Sequence, residues 1–216
     1  SCSWKKNNWP QFSKKESEIV RKVLLSNKVN YLFGSEGKKF EKNFSHFSNT
    51  KYALALANGT LALDLCLRSI GINSGDEVIV TGRTFIASAS CISILGAKPV
   101  FVDVDPNSQN LDINLLEPAL TKKTKAIICV HFAGFPCDMP NIIKFAKKNS
   151  LFVIEDCAQA HGAMINDKSV GSFGDINAWS FCNDKIMTTG GEGGMITTNN
   201  KKLHESAAAF NNYGKN

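Results

Sequence analysis

The chain has 216 residues, of which 43% are hydrophobic and 20% charged, and carries a net charge of +6. That length supports one substantial core, and the lysines are scattered over polar helix faces and loops, not gathered in a basic run with interleaved aromatics, which argues against nucleic-acid binding. No segment reaches the ~20 apolar residues that cross a bilayer, and the opening SCSWKKNNWPQF has no apolar stretch of signal-peptide length.

Cys2, Cys66, Cys91, Cys129, Cys137, Cys157 and Cys182 are odd in number, form no C-x-x-C pair and mostly sit inside apolar runs such as AIICV and LDLCL. Buried free thiols in a reducing compartment have this pattern, so a cytoplasmic protein is expected. No linker-like run and no internal repeat divides the chain.

Ser13 followed by Glu16 forms a capping box, and Ile19, Val20, Val23 and Leu24 then recur at helical spacing, predicting a helix of about three turns. Phe40, Phe44 and Phe47 mark a second amphipathic helix. From Tyr52 onward, short apolar runs alternate with helical stretches. The predicted strands are YALAL, EVIVT, PVFVDV, KAIICV, LFVIE, INAWSF and GMITT, and helices are predicted at residues 60–70, 85–95, 112–120, 138–149 and 200–210. Strands that read as continuous apolar runs belong to a mostly parallel sheet sandwiched by helices, an α/β fold. The glycine-rich TTGGEG half of the connection between INAWSF and GMITT leaves too little chain for a helical crossover, which predicts one antiparallel strand.

In open α/β sheets ligands sit beyond the carboxyl ends of the strands. Asn58, Gly59 and Thr60 fall where a strand gives way to a helix and offer backbone N–H groups and a hydroxyl to a phosphate; the same pattern also serves as an ordinary turn and cap. Asp156 follows a buried-strand pattern, where a desolvated carboxylate wants a cationic partner, or else caps the next turn. Gln159 and His161 follow, the latter more readily a packed histidine than a ligand. The histidines show no metal-ligand spacing, so no zinc site is expected. Ser180 and Lys185 lie after INAWSF. The GGEGG run precedes a strand and not a helix, so it is no dinucleotide fingerprint.

Taken together, these segments resemble the DegT/DnrJ/EryC1/StrS aminotransferases, a branch of the fold-type I pyridoxal-phosphate enzymes. The resemblance runs in order through WPQFSKKE, VNYLFGSEGKKFEKNF, ANGTLAL, GDEVIVTGRTFIASA, GAKPVFVDVD, VHFAGFPCDM, EDCAQAHGA, WSFCNDKIMTTGGEGGMITT and NNYGKN. It implies a fold-type I large domain over residues 51–216, with residues 1–50 as an N-terminal helical segment packing on it. Lys185 would carry pyridoxal 5'-phosphate as a Schiff base, Asp156 would pair with the pyridine nitrogen, and Gln159 would hydrogen-bond the ring 3-hydroxyl. Phe85 would lie against the ring face, or be an ordinary core phenylalanine. Gly59, Thr60 and Ser180 would form the phosphate cup, completed in family members by a second subunit, which implies a homodimer. The implied activity moves an amino group from an amino acid, glutamate by expectation, to a nucleotide-linked keto sugar. One alternative is a sugar dehydratase of the same family, in which a histidine replaces the lysine; another is an inactive relative that binds cofactor or a partner only. Family members continue into a smaller C-terminal domain, so a further domain of roughly 100 to 150 residues is expected and the chain is read as a fragment or truncated product.

Overall fold

A computed structural model describes residues 9–214; Cys2, most of the SCSWKKNNWPQF segment and the last two residues of NNYGKN lie outside them. Helix α1 (Lys14–Leu25) opens with the expected capping box. Ser13 Oγ accepts the Glu16 N–H at 3.2 Å, and the Glu16 carboxylate accepts the Ser13 N–H at 2.6 Å. No residue of α1 is buried. Helix α2 (Glu36–Phe47) instead drives Phe44 into the core, where its ring meets Trp179 edge-on at 5.0 Å and Phe181 at 5.2 Å between centroids.

The remaining elements alternate: β1 (Tyr52–Leu56), α3 (Gly59–Ser69), β2 (Glu77–Thr81), α4 (Ala87–Ile94), β3 (Lys98–Val102), α5 (Leu116–Ala119), β4 (Thr124–Val130), α6 (Met139–Lys148), β5 (Phe152–Asp156), the short β6 (Met164–Ile165) and β7 (Lys168–Ser169), β8 (Ile176–Ser180), β9 (Gly194–Thr198) and α7 (Lys201–Asn211). Seven strands make one sheet in the order β1-β9-β8-β5-β4-β2-β3. Only β9 runs against the rest, paired antiparallel to both β1 and β8. The connection 181–193 contains no helix to carry the chain across the sheet, and GMITT returns antiparallel.

Both faces of the sheet are covered, and the strands feed two cores by alternation. Val78, Val80, Ala126, Ile128 and Val130 face α3, α4 and α7, while Ile79, Ile127, Cys129 and Val153 face α5 and α6. This is why the strands show no alternation of polarity: each successive side chain enters an apolar layer. A fully buried side chain such as Ile128 contributes about 1.5–3 kcal/mol. A third cluster at the β1 end packs Phe44 of α2 against Trp179, Phe181 and Met195.

Three boundaries depart from expectation. The predicted strand PVFVDV stops at Val102, after which Val104 makes only an isolated bridge to Leu111. The predicted helix at 112–120 is a 3-10 turn (Ile113–Leu115) followed by the single turn of α5, where Pro118 has no N–H to give to the carbonyl four residues back. Helix α4 starts two residues later than expected, which leaves Phe85 and Ile86 outside it and exposed. The β6–β7 hairpin was not expected, because two-residue strands carry no periodicity. Its turn residues Asn166 and Asp167 both have left-handed φ, 48° and 60°, as a tight two-residue hairpin requires.

Candidate active site

The carboxyl ends of β1, β8, β5, β4 and β2 open on a cavity of about 490 Å³, and Gly59, Thr60, Phe85, Asp156, Gln159, Ser180 and Lys185 all line it. That volume lies within the range of small-molecule sites. These seven candidate cofactor residues are therefore brought to one space, although they come from four separate connections. Asn58, Thr84, Cys182, Asp184 and Glu192 join them.

At the β1–α3 junction Asn58 is the helix cap, its side-chain oxygen accepting the Leu61 N–H at 2.9 Å. The Gly59 and Thr60 amides, in the first turn of α3, have no carbonyl of the helix to bond. They point their dipoles at the cavity end of the helix, where an anion is stabilised. Gly59 is required by contact: a Cβ there would lie 2.7 Å from Ser180 Cβ. A Cβ on Gly194 would likewise strike the Asn58 carbonyl. The two glycines let α3 settle against β8 and β9, which sets Ser180 beside the helix start.

Asp156 ends β5 and is buried. Its Oδ2 accepts the Ser88 hydroxyl at 2.7 Å, and its Oδ1 accepts the Ala158 N–H at 3.2 Å. Burial raises its pKa above the ordinary carboxylate value, opposed by the Ser88 and Ala158 hydrogen bonds and by the charges of His131 and Lys185. A buried carboxylate with no ion-pair partner at bonding distance among the described residues suits a cation delivered by a ligand. Gln159 is turned by the neighbouring loop after β4: its side-chain oxygen accepts the Ala133 N–H at 2.7 Å. The oxygen is thereby used, and the amide N–H groups remain as donors for an acceptor in the cavity.

Lys185 sits in the turn after β8, its Nζ 3.4 Å from the Asp184 carboxylate and its side chain one-fifth exposed. The Lys185 N–H bonds the Cys182 carbonyl, and Phe181 and Asn183 pair with Gly193 and Gly191 to close the loop on itself. The lysine is thus presented from a tied loop. Phe85 is exposed and lines the mouth, so the reading of it as a core phenylalanine does not hold: α4 begins too late to carry it inward.

Two features of this region were not foreseen. Ser88, on α4, reaches Asp156 across 68 positions of sequence, a pairing that no local pattern encodes. Beneath the cavity floor, Glu155 is fully buried and takes four donors: Gly171, Phe173 and Gly174 N–H groups at 2.7–2.8 Å and His131 Nε2 at 2.9 Å. His131, Glu155 and Cys157 place possible metal-ligand atoms within 4.8 Å of one another. The hydrogen bonds give the cluster another use. His131 Nδ1 accepts the Cys137 N–H at 3.0 Å, so its lone pair is engaged and the Nε2 proton goes to Glu155. Together they pin the 171–174 turn to the base of β5. His161 does not line the cavity; it packs against the Trp179 and Phe181 rings at 5.4 and 5.5 Å.

The donor set fits pyridoxal phosphate: free amides and hydroxyls for an anion, a buried carboxylate for a ring cation, an amide donor for a ring oxygen, and a primary amine for an aldehyde. The model of the DegT/DnrJ/EryC1/StrS aminotransferase family matches residues 10–216. The chain belongs to this family. It is 45% identical over 209 residues to a GDP-perosamine synthase of Escherichia coli O157:H7, covering 95% of this chain and 56% of that protein. The crystal structure of an aminotransferase from Psychrobacter cryohalolentis superposes with a TM-score of 0.94 at 55% identity, covering 96% of this chain and 52% of that one. NtdA from Bacillus subtilis, solved with bound cofactor PMP, gives a TM-score of 0.85 at 31% identity, covering 92% and 45%. The chain spans about half the length of these relatives.

Proposed function

We propose that this chain forms the cofactor-binding part of a pyridoxal-phosphate-dependent aminotransferase that transfers an amino group from an amino acid, by our reading glutamate, to a keto carbon of a nucleotide-linked sugar. The observation that carries the reading is the convergence of Lys185, buried Asp156 and the α3 N-terminus on one cavity. When bound, pyridoxal phosphate supplies a ring that takes up the electron pair left as a proton departs from the carbon beside the amino nitrogen.

The chain's own groups do the rest. Gly59 and Thr60 amides with the Ser180 hydroxyl would hold the phosphate, and Asp156 would keep a proton on the ring nitrogen. Gln159 would donate to the ring hydroxyl, and Phe85 would cover one face of the ring. The Lys185 amine would first anchor the cofactor and then, once displaced by the amino donor, carry the proton from one carbon to the next. A dehydratase of this family would have histidine where Lys185 stands, so the amine favours transamination. The relatives' names support an amino sugar as product, and the buried free thiols among the described residues support a cytoplasmic enzyme. We further propose a homodimer whose second subunit completes the phosphate cup, with residues 51–216 as the cofactor-binding domain.

Borohydride reduction of protein loaded with pyridoxal phosphate, followed by peptide mapping, should place the label on Lys185. A label on any other lysine overturns the assignment.

A further inference from the structure

Asp156 must stay ionised to hold a proton on a ring nitrogen, yet it lies where burial favours the neutral acid. Ser88 is fully buried on α4 and gives its only proton to Asp156 Oδ2 at 2.7 Å. Its oxygen also lies 2.7 Å from Thr84 Oγ1. With the Ser88 proton already spent on the carboxylate, the proton in that second bond must come from Thr84. The direction of the chain is therefore set: Thr84 donates to Ser88, and Ser88 to Asp156. Thr84 lines the cavity wall, so the chain runs from the cavity into the carboxylate.

We propose that Ser88 is a positioning residue, oriented by Thr84, that keeps Asp156 charged and aimed at the cofactor nitrogen; this rests on the reading of Asp156 given above. A hydroxyl that accepts one hydrogen bond donates a stronger one, and a charge-assisted O–H···O⁻ bond at this length favours the ionised acid. The bond also fills one lone pair of Oδ2 while the Ala158 amide fills one of Oδ1. The plane of the carboxylate is thereby fixed, with the remaining lone pairs left for a ligand. The other titratable groups acting on Asp156 are Lys185 and His131, both favouring its charge, and the thiols of Cys66, Cys91 and Cys157. Burial pushes Cys91 and Cys157 up to about 12, so in the working range they stay neutral and Ser88 is the nearest group that can offset desolvation.

The test is the titration of Asp156 in cofactor-free protein, followed by carboxyl-carbon NMR with Asp156→Asn used to identify the resonance. Ser88→Ala should raise the midpoint by about one pH unit, the size expected for losing one charge-assisted hydrogen bond. Ser88→Thr should restore it. Thr84→Val, nearly isosteric and able to stand alone if Ser88→Ala does not fold, should raise it by a smaller amount. An Asp156 midpoint unchanged or lowered in Ser88→Ala, or unchanged in Thr84→Val when that is the variant available, overturns the proposal. Pyridoxal phosphate binding, measured separately on the unaltered protein, tells the two readings apart. Binding without the NMR shift removes the relay alone, whereas an NMR shift in a protein that takes up no cofactor removes the reading of the cavity and, with it, the relay's role.

Discussion

Gly59 and Ser180 approach so closely that a Cβ on the glycine would sit 2.7 Å from the serine Cβ and 3.1 Å from its hydroxyl oxygen. Here the start of α3 and the end of β8 form a single surface.

Gly59→Ala should accordingly do damage in two ways. The added methyl must push α3 away from β8, at a cost of about 1–3 kcal/mol typical of overpacking, and it displaces the amides proposed to hold the phosphate. We expect a lower urea midpoint together with weaker pyridoxal phosphate binding in equilibrium titration. Unchanged stability with unchanged affinity would mean that the junction is looser than its geometry.

Asp156→Asn should separate stability from function. An asparagine can still accept the Ala158 N–H and can donate to Ser88, so the fold loses no partner, but it cannot hold a proton on a ring nitrogen. Transamination should fall on the order of 10²–10³-fold, as when one preorganised electrostatic contact is removed, with cofactor affinity changed much less. The sign of the stability effect follows from the raised pKa of the native carboxylate. Above that pKa the folded state carries a charge it disfavours, and as pH falls through it toward the unfolded value the folded state gains. The cofactor-free variant should therefore melt higher than the unaltered protein at pH 8, by a margin that narrows toward pH 4. Melting curves at both pH values check this, and a variant that melts lower at pH 8 contradicts it.

His161 should make the fold sensitive to acid. Its ring is buried against Trp179 and Phe181, and burial, the largest influence, lowers its pKa from 6.5 to about 4 against the opposing Ser180 backbone contact. Its stabilising contribution is complete above the unfolded value and is lost as pH falls from 6.5 toward 4, because the unfolded chain takes up the proton first. The loss should reach roughly 3 kcal/mol between pH 7 and pH 4. In His161→Phe, which keeps an aromatic ring against Trp179 and Phe181, the fall in stability over that interval should be smaller by this amount. Equal slopes for both proteins in urea titrations at the two pH values would rule out a buried neutral imidazole.

The α/β class, the positions of the seven main strands along the chain, the single antiparallel return and the candidate residues are legible in the sequence alone, because each is written locally. Continuous apolar runs mark strands buried on both faces, the glycine-rich TTGGEG leaves no room for a crossover helix, and Asp156, Ser180 and Lys185 fall at or just after strand ends whatever the sheet order. The sequence could not show that Ser88 completes Asp156, that Glu155 gathers three amides and His131 from distant loops, or that Phe85 stands exposed at the mouth. Those relationships depend on which strands become neighbours and on where α4 begins. They were decided only when the sheet order set β5 beside β4 and β8 and laid α4 over the end of β5, since a hydrogen bond across 68 residues is specified by packing and has no spacing in the chain to reveal it.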